Sequence, residues 1–80
     1  MRPSKEQVVL ENLLTAAIDA AMKARARADT DPAERARMMA YYDVIRWAKE
    51  QAGVIELEFA DRSLADFNPD ELLQPARQAA

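Results

Sequence analysis

Residues 29–34 read Asp-Thr-Asp-Pro-Ala-Glu, and this stretch decides the fold of the 80-residue chain. Asp31 is a favourable N-cap residue, Pro32 suits the first position of a helix, and Glu34 places negative charge in the first turn. Because proline is costly inside a helix, one continuous helix through this point is unfavourable. The stretch therefore predicts the end of one helix and the beginning of another.

A first helix is predicted on the N-terminal side of this stretch, over about residues 5–28. Ser4 and Gln7 match the capping-box pattern at its beginning. Apolar residues then recur at spacings of three and four, which gives the helix one apolar stripe. The stripe comprises Leu10, Leu13, Leu14, Ala17, Ala21, Ala24 and Ala28.

A second helix is predicted on the C-terminal side, over about residues 32–52, with Gly53 ending it in the left-handed conformation. A connection of a few residues makes two helices lie antiparallel. The sequence therefore predicts an all-α fold in which residues 1–53 form an antiparallel helical hairpin packed like a coiled coil. The expected seam of the second helix comprises Met38, Tyr41, Tyr42, Ile45, Ala48 and Ala52.

The remaining residues, 54–80, are predicted to form an acidic tail. The net charge of −3 divides unevenly, since residues 1–53 carry nine Lys and Arg against eight Asp and Glu, whereas the tail carries two against six. Residues 54–59 alternate as a strand does, but no other segment reads as a strand. They could lie extended over the hairpin, pair with another chain, or be helical. Short helical turns are predicted near residues 64–67 and 69–74, with Pro75 ending the second.

Both predicted helices have more apolar surface than one shared seam can bury. Either the tail folds back and completes a monomer, or two hairpins pack into a four-helix bundle. We favour a homodimer, because two helices and a short tail make a thin core for a chain of this size. The predicted self-interface comprises Ile18, Met22, Ala40, Val44 and Trp47.

The composition argues against catalysis, metal binding and cofactors. The chain has no histidine or cysteine and one glycine, so the usual nucleophile–base pairs, metal ligands and phosphate-binding loops are missing. Both serines, Ser4 and Ser63, occupy expected cap positions. The N-terminus lacks the layout of a signal peptide and no apolar run has membrane-spanning length, which predicts a cytoplasmic protein. The alanine and arginine content is typical of a GC-rich bacterial source.

Two functional hypotheses follow from these features. The first is a non-enzymatic interaction module, an adaptor or regulator that acts as a homo-oligomer and binds another protein through its acidic tail. The expected tail anchors are Ile55, Leu57, Phe59 and Phe67. The alternative is a nucleic-acid-binding regulator that uses the basic hairpin tip. The overall acidity argues against it, and several of the basic side chains are already explained by the last turns of the first helix, where positive charge suits the helix dipole. The possible phosphate contacts are Lys23, Arg25, Arg27, Arg35 and Arg37.

Overall fold

The computed structural model describes residues 4–74 and shows two long helices packed antiparallel. Helix α1 spans Lys5–Arg25 and helix α2 spans Pro32–Val54. A short helix α3, Arg62–Asp66, and a C-terminal 3₁₀ helix, Pro69–Leu73, follow. No strand forms in the described residues, so the predicted all-α hairpin is confirmed and the strand-like alternation of residues 54–59 does not produce a strand.

The predicted N-caps of both hairpin helices are confirmed, but the capping box predicted for α1 forms only in part, because the Gln7 side chain donates to Glu11 and to the Glu58 carbonyl instead of reaching back to Ser4. The Ser4 hydroxyl accepts a hydrogen bond from the Gln7 amide at 3.1 Å. The Asp31 carboxylate accepts one from Ala33 at 3.0 Å and a longer one from Glu34 at 3.4 Å, with Pro32 in the first helical position. These bonds satisfy helix N-terminal amides that have no partner within the helix.

Helix α1 ends earlier than the predicted residue 28. From Arg27 onward the backbone bonds tighten to a spacing of three: the Arg27 amide donates to Ala24 and the Ala28 amide to Arg25, both at 3.1 Å. Residues 26–30 are turns, and Ala28 is still buried although it lies outside the helix. The bend thus begins inside the predicted helix.

The prediction that Gly53 adopts the left-handed conformation is wrong. Gly53 has an ordinary negative φ and lies inside α2, whereas Glu56 has a φ of 57°. The Glu56 amide donates to the Gly53 carbonyl at 3.1 Å, and the Leu57 amide donates to Ala52 at 2.8 Å. These two bonds form a Schellman motif centred on Glu56, so the helix continues past its glycine.

Residues 57–74, which we name the C-terminal segment, fold back over the hairpin. Leu64 and Leu72 are buried, and Leu72 joins Ile45 and Met38 in the apolar core. Phe67 packs partly buried against the same cluster. The short helices lie close to their predicted positions, but α3 begins at the N-cap Asp61 rather than at Ser63. The predicted stop at Pro75 lies outside the described residues.

The seam contains most of the predicted residues, with two corrections. Leu14, Ala21 and Ala24 of α1 are buried, but Leu13, which was assigned to the seam, is 65% exposed. Ile18 was expected on an unsatisfied surface, yet it packs against the core cluster that contains Leu72. Residue Leu13 faces out because the C-terminal segment packs on the other side of the hairpin.

Candidate interaction site

The C-terminal segment is bound to α1 through the carboxylate of Glu11. This side chain is 8% exposed and accepts hydrogen bonds from the backbone amides of Ala60 at 2.8 Å and Asp61 at 3.0 Å. Gln7 donates to the same carboxylate at 2.8 Å and also donates to the carbonyl of Glu58. The bond from Gln7 and the two amides lower the pKa of Glu11, against the opposing effect of burial. Glu11 is therefore a buried anion with its acceptors satisfied.

The same segment is bound to α2 through the ammonium group of Lys49. It donates to the carbonyls of Leu64 at 3.0 Å and Ala65 at 3.2 Å, and also to that of Phe67. These carbonyls belong to the last turn of α3 and the residue after it. Since helix C-termini carry unpaired carbonyls and partial negative charge, a lysine there is a favourable partner.

Asp61 completes the beginning of α3. Its carboxylate accepts from the Ser63 amide at 2.9 Å and from the Ser63 hydroxyl at 2.7 Å. These bonds lower the pKa of Asp61, with the Ser63 hydroxyl making the largest contribution. Ser63, predicted as a cap residue, instead donates to the residue that caps the helix.

The 3₁₀ helix is bound near the hairpin bend by one residue from each long helix. Arg25 of α1 donates to the Glu71 carbonyl at 2.7 Å, and the Tyr42 hydroxyl of α2 donates to the Asp70 carboxylate at 2.9 Å. The bond to Asp70 is the main cause of a raised pKa at Tyr42. Arg25, predicted as a phosphate contact, is therefore used within the chain.

The residues that bind the segment share one side of the hairpin. Glu11 and Tyr42 each precede a buried seam residue by three positions, Leu14 and Ile45 respectively. Lys49 follows Ile45 by four positions, on the same side of α2. Two antiparallel helices in contact are related by a local two-fold axis perpendicular to both. Residues that lie the same number of positions before a seam residue on each helix therefore lie on the same side of the hairpin. This side of the hairpin is covered by the chain itself.

The opposite side of the hairpin is apolar, and no segment within residues 4–74 covers it. Leu13 and Val44 each immediately precede a seam residue, and they are 65% and 55% exposed. Trp47 is 64% exposed and Val9 is 57% exposed. We name this surface the open face. It comprises Val9, Leu13, Ala16 and Ala20 of α1 with Ala40, Val44 and Trp47 of α2.

The predicted self-interface falls on both sides of the hairpin. Ala40, Val44 and Trp47 lie on the open face, as one stripe. Ile18 packs in the core, and Met22, which is 38% exposed, lies four positions after Ile18 on the side of the C-terminal segment. Sequence reasoning did not assign Val9 to a surface and placed Leu13 in the seam rather than on the open face. The signal for them was a second set of three- and four-residue spacings in α1, beside the stripe that forms the seam.

The four predicted tail anchors differ in their exposure. Ile55 is 71% exposed, next to the end of α2. Leu57 and Phe59 are half-buried, and Phe67 packs partly buried against the core. Ile55 is thus the most available of these side chains for a contact outside the chain.

The structure separates the five predicted basic residues into two groups. Lys23, Arg27 and Arg37 line one shallow cleft together with Glu34, which lies 4.0 Å from the Arg37 side chain. The other two, Arg25 and Arg35, line a different cleft beside Leu72 of the 3₁₀ helix. The first group lies at the bend end of the open face.

No family model matches the chain, and the comparisons with curated proteins and with solved structures found no match either. Within residues 4–74, no cluster of three or more carboxylate, imidazole or thiol groups that could hold a metal ion is present. None of the helices in that range combines the length and the apolar character needed to cross a membrane.

Proposed function

We propose that this protein is a non-enzymatic helical interaction module that works as a homo-oligomer, with the open face as its self-association surface. The observation that carries the proposal is the continuity of that face. From Val9 to Ala20 on α1 and from Ala40 to Trp47 on α2, every position of the two stripes is apolar. Two adjacent apolar stripes on antiparallel helices are the surface from which four-helix bundles are built.

The small size of the core is a reason to expect such an association. The largest side chains with essentially no exposure are Ile45 and Leu72, and the buried positions of α1 include several alanines. A chain of 80 residues buries a smaller fraction of its surface on folding than a larger domain does, and oligomerisation is a common remedy. Since the C-terminal segment covers one side of the hairpin, the open face is where a second layer adds most to burial.

The size of this side of the hairpin suits a second copy of the chain. The whole side of two helices of this length is roughly 30 by 20 Å, on the order of 600 Å² per chain, and the open face is its apolar centre. Two such sides together, with the polar positions that flank the open face, exceed the roughly 1,000 Å² expected of a specific interface. A second copy presents a surface of the same length, the same helix spacing and the same apolar character.

The test compares two glutamate substitutions on α2 by light scattering. Trp47→Glu places charge in the open face and is expected to leave a monomer of 9.0 kDa, whereas the native chain has about twice that mass. Met39→Glu is the matched control, because Met39 is an exposed apolar residue of the same helix outside the open face. A native chain that stays monomeric, or a Trp47→Glu variant that still dimerises, overturns the proposal.

A second candidate function is nucleic-acid binding at the hairpin tip, favoured by the one cleft that Lys23, Arg27 and Arg37 share. Phosphate contacts give binding that weakens steeply as salt rises. Filter binding of DNA and RNA at low salt tests this candidate, with Arg27→Ala as the variant and Arg46→Ala, away from the tip, as the control. Absence of retention at low salt removes the candidate.

A further inference from the structure

We infer that two chains associate antiparallel through the open face. In this pair α1 packs on the partner's α1, α2 packs on the partner's α2, and the two bends lie at opposite ends. This inference rests on the proposed function and adds the arrangement of the copies. Stacking two hairpins face to face with a two-fold axis allows only two arrangements. Either the bends coincide and α1 lies on the partner's α2, or the bends lie apart and like helices meet.

The two stripes of the open face follow a seven-residue repeat and extend beyond its apolar part. Spacings of three and four alternate throughout, which is the spacing of a coiled-coil seam. On α1 the extended stripe reads Glu6, Val9, Leu13, Ala16, Ala20 and Lys23, and Arg27 continues the spacing in the turn that follows. On α2 it reads Arg37, Ala40, Val44, Trp47, Gln51 and Val54.

The stripe of α1 is complementary to itself when it is reversed. Large residues occupy its first half, Val9 and Leu13, and small residues occupy its second half, Ala16 and Ala20. In an antiparallel pair, Leu13 meets the partner's Ala16 and Val9 meets the partner's Ala20. Alternation of large and small side chains across facing positions is how helices interdigitate at close approach.

The charges at the two ends of that stripe favour the same arrangement. Glu6 lies at the end far from the bend, and Lys23 lies near it. Within residues 4–74 neither side chain makes a hydrogen bond or salt bridge. In the antiparallel pair Glu6 meets the partner's Lys23, twice by symmetry. With coincident bends, the cleft of Lys23, Arg27 and Arg37 would face the same cations of the partner, which is unfavourable.

The distance between the two bends tests this arrangement. The chain has no cysteine, so Thr30→Cys in the exposed bend carries a single spin label per chain. Antiparallel association predicts an interlabel distance of roughly 40 Å, a little more than the length of α1. Coincident bends predict roughly 10–20 Å, close to the spacing of packed helices.

The outcomes separate this inference from the proposed function. A distance of roughly 40 Å supports the antiparallel pair. A short distance overturns that arrangement while leaving self-association intact. A sample with the mass of a monomer and no interlabel distance overturns both.

Exchange of the end charges gives an independent test by sedimentation. Glu6→Lys alone, or Lys23→Glu alone, is expected to raise the dimer Kd by about tenfold, because two ion pairs become two repulsive pairs. The double variant restores both pairs with inverted sign and is expected to recover most of the native Kd. Because the two residues lie far apart on one straight helix, recovery requires contact between chains. Additive losses in the double variant overturn the inference.

Discussion

Glu11 and Lys49 hold opposite ends of helix α3. The carboxylate of Glu11 accepts the amides of Ala60 and Asp61 just before the helix, while the ammonium of Lys49 donates to the carbonyls at its other end. The anion lies at the positive end of the helix dipole and the cation lies at the negative end. A helix of five residues is too short to be stable by itself, so these two side chains position it on the hairpin.

Glu11→Gln is expected to lower the free energy of unfolding by about 1–2 kcal/mol, because a neutral amide is a weaker acceptor and its amino group faces donors. Urea denaturation followed by circular dichroism measures the change. Asp19→Asn, on an exposed position of the same helix, is the matched control and is expected to change stability by less than about 0.5 kcal/mol. Equal effects of the two substitutions would contradict the role assigned to Glu11.

Lys49→Met is expected to lower the free energy of unfolding by about 1–3 kcal/mol. Methionine keeps the apolar stem but leaves the carbonyls of Leu64, Ala65 and Phe67 without their donor. Hydrogen exchange of the amides in α3 gives a local measurement of the same loss. Lys5→Met, on an exposed residue of α1, is the control and is expected to leave this exchange unchanged.

Acid is expected to destabilise the fold partly through Glu11. Its pKa lies below the ordinary value of 4.5 in the folded chain, so the charged form contributes stability above that pH. This contribution decreases as the pH falls below the ordinary value and is lost as the pH passes the folded pKa. The difference in stability between the native chain and Glu11→Gln should therefore shrink on acidification, measured by urea denaturation at a series of pH values. A difference that stays constant would refute the assignment.

The end of α2 offers two stabilising substitutions. Gly53→Ala is expected to add about 1 kcal/mol, since Gly53 is helical and a methyl group there would meet no atom within 4 Å. Glu56→Gly is expected to add about 0.5–1 kcal/mol, because glycine adopts the left-handed conformation without strain. Thermal unfolding measures both, and Glu56→Ala is the control that keeps the strain. Destabilisation by Glu56→Gly would contradict the Schellman geometry.

Burial of the C-terminal segment is tested by two adjacent leucines. Leu72→Ala is expected to cost about 2–4 kcal/mol, because Leu72 is fully buried in the core between both long helices. Leu73→Ala removes the same atoms from a position that is 49% exposed and should cost less than about 1 kcal/mol. Denaturant midpoints of the two variants provide the comparison. Similar midpoints would mean that the segment does not complete the core.

Local signals made the hairpin predictable. The Asp31-Pro32 start and the Ser4 cap act through contacts a few residues apart, and the spacing of apolar residues along each helix marks Leu14 and Ile45 as seam residues; the structure confirms each of them. The position of Gly53 was misleading, because a helix can continue through a glycine when the residues after it, Glu56 and Leu57, complete a cap. The local sequence pattern predicts that α2 ends in this region, but it does not determine which residue adopts the left-handed cap conformation.

The open face was predictable only in part. Ala40, Val44 and Trp47 form a stripe that their spacing alone identifies, and the structure leaves this stripe uncovered. Leu13 and Ile18 are both apolar residues beside the α1 seam, and nothing in their spacing says which is buried. That choice depends on which side of the hairpin the C-terminal segment covers.

The sequence by itself determined the two helices, their caps, their antiparallel packing and the excess of apolar surface, because caps, proline and helical periodicity act over short distances along the chain. Only the tertiary structure decided which surface remains open. Glu11 and Lys49 reach residues that are distant along the chain, and their bonds commit the C-terminal segment to one side. Since a buried carboxylate is stable only with such partners, Glu11 could not be distinguished from an exposed glutamate until the fold supplied them.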